Sequence, residues 1–182
     1  MFPLTSEEKA FLLRLARHSI QSSLAKQRAA PPAEIPARLK EPAGVFVTLH
    51  NGEELRGCVG YVEGRLALYQ AAMQAASAAA LEDPRFPPVR PAELPQLEVE
   101  ISVLSPCQPI AASDVQVGVH GLMITQGQAR GLLLPQVPVE HQWSREQFLE
   151  ETCRKAGLPP DAWKHGARIE AFTAEVFGEN SY

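Results

Sequence analysis

The chain is poor in the features that announce several large classes of protein. It has three cysteines, Cys58, Cys107 and Cys153, far apart and odd in number, with no C-x-x-C pair. That argues against the disulfide framework of a small secreted domain and points to free thiols in a reducing, cytoplasmic setting. No run of about 18 apolar residues occurs, so no membrane-crossing helix is expected. Met1 to Leu15 lacks a basic start and an unbroken apolar run, because Glu7, Glu8 and Lys9 interrupt it; no signal peptide is expected. Lysine and arginine are scattered and the formal net charge is -4. The basic stripe of a nucleic-acid binder is missing, and attraction to anionic membranes is weak.

Sequence motifs for several chemistries are missing too. There is no G-x-G-x-x-G, no P-loop, no H-E-x-x-H and no G-x-S-x-G, so nucleotide-fuelled or serine-hydrolase chemistry has no support. No His, Cys or acidic pair has zinc-like spacing, and neither a metal site nor a cofactor is expected.

The 182 residues, 45% of them hydrophobic, suit one domain over 1–182 that buries a core without staples. Thr5-Ser6-Glu7-Glu8 is a capping box, and Phe11, Leu12, Leu15, Ser19, Ile20 and Leu24 recur at helical spacing, predicting a helix from about 6 to 28. Pro31, Pro32, Pro36 and Pro42 mark a linker. Val45 to His50 and Leu55 to Val62 read as a hairpin about a type I′ turn at Asn51-Gly52. Alanine-rich Leu66 to Glu82 reads as a helix stopped by Asp83-Pro84, with a proline-rich loop to Pro95. Leu97 to Ser105 alternates as a half-buried strand. A second hairpin is predicted over Gly121 to Gln126 and Gly131 to Pro135, around Gly127-Gln128. Ser144-Arg145-Glu146-Gln147 opens a helix that Gly157 ends. A turn around Pro160 to His165 leads to a last strand, Arg168 to Phe177. Mixed helices and hairpins give an α+β fold, with a mixed or antiparallel sheet flanked by helices.

The most informative stretch is Leu55-Arg56-Gly57-Cys58-Val59-Gly60. Strand alternation groups Leu55, Gly57, Val59 and Tyr61 on one face and Glu54, Arg56, Cys58 and Gly60 on the other. A cation at Arg56 beside Cys58 favours thiolate over thiol. Gly57 and Gly60 mark a bulge, or close approach by a ligand or another backbone. Cys58 is a reactive-thiol candidate on this reading; the alternative is a small buried hydrophobe, with Arg56 paired to Glu98 or Glu100 on a neighbouring strand. His120, between Gly118-Val119 and Gly121, is a candidate base for Cys58 or a turn histidine with one backbone bond. Glu98 and Glu100 share a strand face as an acid–base pair or as a solvated surface. Arg85 is either an anion grip or the partner of Glu82 or Asp83. Gln136 aims its amide into a binding site or satisfies its own loop.

These segments together resemble the AMMECR domain family, known in bacteria and archaea as the A protein of the AmmeMemoRadiSam system. The resemblance rests on Gly44-Val45-Phe46-Val47-Thr48-Leu49, the Leu55 to Gly60 stretch, Asp83-Pro84-Arg85-Phe86-Pro87-Pro88-Val89, Leu97 to Ser105, His120-Gly121-Leu122, Leu133-Leu134-Pro135-Gln136-Val137 and Lys155-Ala156-Gly157-Leu158. Val59 stands where the family more usually has isoleucine. The resemblance implies a larger mixed-sheet lobe and a smaller lobe with a cleft between them, and makes the arginine-glycine-cysteine motif the hallmark site. It implies a Memo-like protein and a radical S-adenosylmethionine protein as partners, and no established reaction. The chain lacks a three-cysteine iron–sulfur motif, so it is not expected to be the radical enzyme. Two functions stand as expectations. One is an accessory or binding protein that presents Cys58, with Gly57, Gly60, Arg85, Glu98, Glu100 and Gln136 around the ligand. The other is an enzyme with Cys58 as nucleophile, Arg56 as activator and His120 as base.

Overall fold

The Thr5 hydroxyl accepts the amide of Glu8, and the Glu8 carboxylate accepts the amide of Thr5. That reciprocal cap opens helix α1, Ser6–Leu24. In this computed structural model residues 3–179 are described; Met1, Phe2 and residues 180–182, which the expectations for a leader and for a domain over 1–182 also touch, lie outside them. The chain divides into two compact units. The first runs to Leu104 and resumes at Glu175; the second is Ser105–Ala174.

In the first unit, strands β1 (Gly44–Asn51), β2 (Glu54–Tyr61), β3 (Leu97–Leu104) and β8 (Ala174–Gly178) form a sheet in the order β2-β1-β3-β8. β1 pairs antiparallel with both β2 and β3. Alternation puts Val45, Val47 and Leu49 of β1 and Val99 and Ile101 of β3 in the core, with Leu12 and Ile20 of α1. Helix α2, Leu68–Leu81, completes that core with Ala71, Ala72, Ala75, Ala76, Ala79 and Ala80. The short side chains let its backbone come close to β2. A Cβ at Gly57 would lie 2.1 Å from the carbonyl oxygen of Ala79, so the glycine is required by helix-on-strand packing.

The second unit pairs β4 (Gln108–Pro109), β7 (Arg168–Phe172), β5 (Gly121–Gln126) and β6 (Ala129–Leu133) in the order β4-β7-β5-β6, all described pairings antiparallel. Its separate core holds Leu122, Ile124, Phe148, Leu149 and Cys153. The Ser144 capping box opens α4, Arg145–Lys155, and Gly157 at φ 76° closes it, with Leu158 N donating to Cys153 O at 2.9 Å. A short helix α3, Val137–Glu140, was not foreseen.

The α+β class is as expected, and four local readings change. Helix α1 stops at Leu24 rather than 28, because Lys26 turns left-handed at φ 56° while Gln27 N bonds back to Ser22 O at 2.8 Å. In the first hairpin Asn51 pairs with Glu54, so the turn residues are Gly52 and Glu53. Only Gly52 has positive φ, at 62°, which is the pattern of a type II′ turn and not type I′. The proline-rich stretches hold short 3-10 turns at Ala37–Lys40 and Pro91–Gln96. The last strand is two strands: β7 pairs with β5, and after Thr173 the chain joins the other sheet as β8. Periodicity along one chain does not register a change of partner.

A cysteine on a closed sheet edge

β2 is an edge strand, so alternate peptide groups along it face away from β1. The Cys58 N–H is one of these, and it donates to Asp83 Oδ2 at 2.9 Å. Asp83 follows α2 directly, where the Asp-Pro stop ends the helix, and it is only 5% exposed. The same carboxylate accepts from Arg85 N, Nε and Nη2 at 3.1, 3.0 and 2.7 Å. Arg85 Nη2 in turn reaches Cys58 O at 3.4 Å. The Asp83–Arg85 pair therefore supplies to Cys58 the acceptor and donor that a neighbouring strand would supply, and closes the edge there.

This wiring sets the electrostatics. The Arg85 side chain first, and the Cys58 and Arg85 amides after it, hold the Asp83 carboxyl far below the usual carboxylate range against the opposing effect of burial. The Arg85 guanidinium is pushed up, chiefly by Asp83, with a smaller push from the charge of Cys58. The Cys58 thiol is half-buried. Because its N–H points outward, Cys58 and Thr48 face each other as a non-hydrogen-bonded pair, in which side chains lie close. The Thr48 hydroxyl donates to Cys58 Sγ at 3.3 Å.

Arg56 departs from its expected place. Leu49 pairs with Gly57 and His50 with Leu55, which leaves Arg56 as the extra residue of a β-bulge. A bulge breaks the alternation and re-aims the side chain. Arg56 binds Glu93, with Nε at 3.0 Å and Nη2 at 3.4 Å from its carboxylate oxygens. Glu93 also accepts the Arg90 amide at 2.7 Å. Arg56 first and the Arg90 amide second lower the Glu93 carboxyl to about 2. Neither Glu98 nor Glu100 is the partner, because β1 lies between β2 and β3 and separates them by about 10 Å, two strand spacings. The two glutamates sit half-buried on β3, opposite His50 and Thr48.

The bare positions of the two glycines are filled by the protein itself. The Ala79 backbone covers Gly57, and a Cβ at Gly60 would lie 2.4 Å from the Phe46 ring. His120 and Gln136 belong to the second unit, whereas the cluster around Cys58 is built from first-unit residues alone. His120 is a turn histidine: its Nδ1 accepts the Gln116 amide at 3.1 Å, and its own amide donates to Gln116 O at 3.0 Å. Gln136 is exposed and starts α3, its carbonyl accepting from Val139 N and Glu140 N. Among the described residues no group of three His, Cys, Asp or Glu side chains could hold a metal ion.

Sequence reasoning missed Thr48 and Glu93; it read Asp83 as a helix stop and as one of two alternative partners for Arg85, and the Asp83–Arg85 pair is present. Thr48 was hidden by register. Counting back from a turn at Asn51-Gly52 sets it opposite Leu55; the later turn and the bulge move it to Cys58.

The two units and the edge-strand cysteine define an α+β protein with a locked thiol-bearing strand. A sequence model of the AMMECR1 family matches residues 13–177, across both units, and the chain belongs to that family. A protein of Thermococcus gammatolerans is 46% identical over 98% of this chain and 94% of its own length. A Methanothermobacter thermautotrophicus protein is 43% identical over 98% of this chain and 97% of its own. The crystal structure of the uncharacterized protein PH0010 from Pyrococcus horikoshii superposes with a TM-score of 0.89 at 43% identity, covering 97% of this chain and 93% of that one.

Proposed function

We propose that this protein is a non-catalytic accessory or binding component of the AmmeMemoRadiSam system, working in the cytoplasm. It presents Cys58 to a ligand, a modified substrate or a partner protein, and its partners are a Memo-like protein and a radical S-adenosylmethionine protein. One observation carries this reading: the half-buried thiol sits on a strand whose backbone is locked on both sides, and its bonded neighbour is a hydroxyl donor, not a base. Such a thiol is held for recognition rather than for proton transfer. The test is to purify the chain alone and with the two partners. Co-elution that weakens on Cys58→Ser is the expected result, and substrate turnover by the lone chain sinks the idea.

A second reading, a cysteine-dependent enzyme with Cys58 as nucleophile, is favoured by the electrostatic coupling between Arg85 and Cys58. In that case Arg85, not Arg56, is the activating cation. Iodoacetamide labelling across pH then slows in Arg85→Gln and is unchanged in Arg56→Gln. Equal rates in all three proteins discard it.

A further inference from the structure

Helices α1 and α2 leave a groove in the first unit. Ser19 and Ser23 lie one turn apart on α1; Tyr69, Met73 and Ser77 form a matching stripe on α2. The helices come close where the Ser23 and Ser77 hydroxyls bond at 2.7 Å. Beside that contact lies a cavity of about 400 Å³, and the chain leaving α1 supplies Arg28 and Pro31 to its wall. That volume is within the range of small-molecule sites.

The lining has a definite chemical character. Arg28 makes no hydrogen bond or ion pair among the described residues, nor does the Tyr69 hydroxyl make one. Two hydroxyls joined by a single bond leave one proton of the Ser23–Ser77 pair free to donate. The Gln70 and Gln74 amides also line the groove, and no acidic side chain does. The site thus offers one cation and several donors beside an apolar wall of Leu66, Met73 and Pro31. A carboxylate only accepts hydrogen bonds, carries one charge and matches the guanidinium fork.

We infer that this groove binds a small organic acid, its carboxylate on Arg28 and its apolar body against Met73. The site is independent of the Cys58 reading. The test titrates benzoate, benzyl alcohol and inorganic phosphate into the full chain and follows the amide resonances of Ser23, Tyr69, Met73 and Ser77. Benzoate is expected to give saturable shifts, weakened roughly tenfold by Arg28→Gln, the loss of about one charge-assisted bond. Gln74→Trp, at an exposed position on the rim, abolishes them, and Cys58→Ser leaves them unchanged. The inference is overturned if benzoate does not saturate, if Arg28→Gln binds it equally well, or if benzyl alcohol or phosphate binds as tightly.

Discussion

At Cys58 the decisive neighbours are a hydroxyl and a buried carboxylate. The Thr48 hydroxyl donates to the Cys58 sulfur at 3.3 Å. Thr48→Val keeps the shape and removes that donor; iodoacetamide labelling of Cys58 at a fixed pH near 8 is expected to slow by about two- to tenfold. A rate equal to the parent's shows that the contact does not bear on reactivity. The Arg56–Glu93 pair makes a pH prediction. The folded Glu93 carboxyl titrates at about 2, below its ordinary 4.5. A lowered folded value stabilises the protein above the unfolded value, and that contribution is lost as pH falls through the folded one. The stability gap between the parent and Glu93→Gln is therefore full at neutral pH, declines below about 4.5 and closes near 2. Urea denaturation at a series of pH values reads it, and a gap independent of pH contradicts the pairing. The candidacy of Cys58 came from its own hexapeptide. The pairing of Asp83 with Arg85 was legible as an alternative, because the two are neighbours in the chain; the bond from the Cys58 amide to the same carboxylate was not, because nothing local brings the end of α2 to β2.

At the level of elements, the contact of α2 with β2 positions the site. The alanine run was legible as close packing, and its partner proved to be Gly57. Gly57→Ala drives a methyl into the Ala79 carbonyl and is expected to cost roughly 2 kcal/mol, within the usual range for overpacking. Because α2 carries Asp83 at its end, the same variant is expected to speed hydrogen exchange at the Cys58 amide. A Gly57→Ala protein with parental stability and parental exchange would show that the helix shifts freely on the strand. The helix caps and both hairpins were readable because the hydrogen bonds that make them span few residues. The bulge at Arg56 was legible only as one alternative for the glycine beside it; its position and the re-aimed side chain exist only in the pairing of β2 with β1.

For the whole molecule, net charge and its scatter make one prediction. With a formal charge of -4 and no basic run, the full chain should not retard duplex DNA at about 0.1 M salt, and any retention should lack the steep salt dependence of phosphate binding. Reproducible, salt-sensitive binding would refute this. Among the described residues no helix is long and apolar enough to cross a membrane. By itself the sequence determined the capped helices, the hairpins, the alternation of β3, the α+β class and the family, since these rest on local hydrogen bonding, on apolar periodicity and on a chain-long pattern of motifs. Only the tertiary structure decided that the final stretch divides between two sheets, that Glu93 rather than Glu98 or Glu100 takes Arg56, and that Asp83 and Arg85 close the edge at Cys58. The hydrogen bonds from Arg56 to Glu93 and from Cys58 to Asp83 join residues 37 and 25 positions apart. Over such separations the partner is chosen by strand order, by a one-residue bulge and by the angle at which a helix ends, none of which any short segment encodes alone.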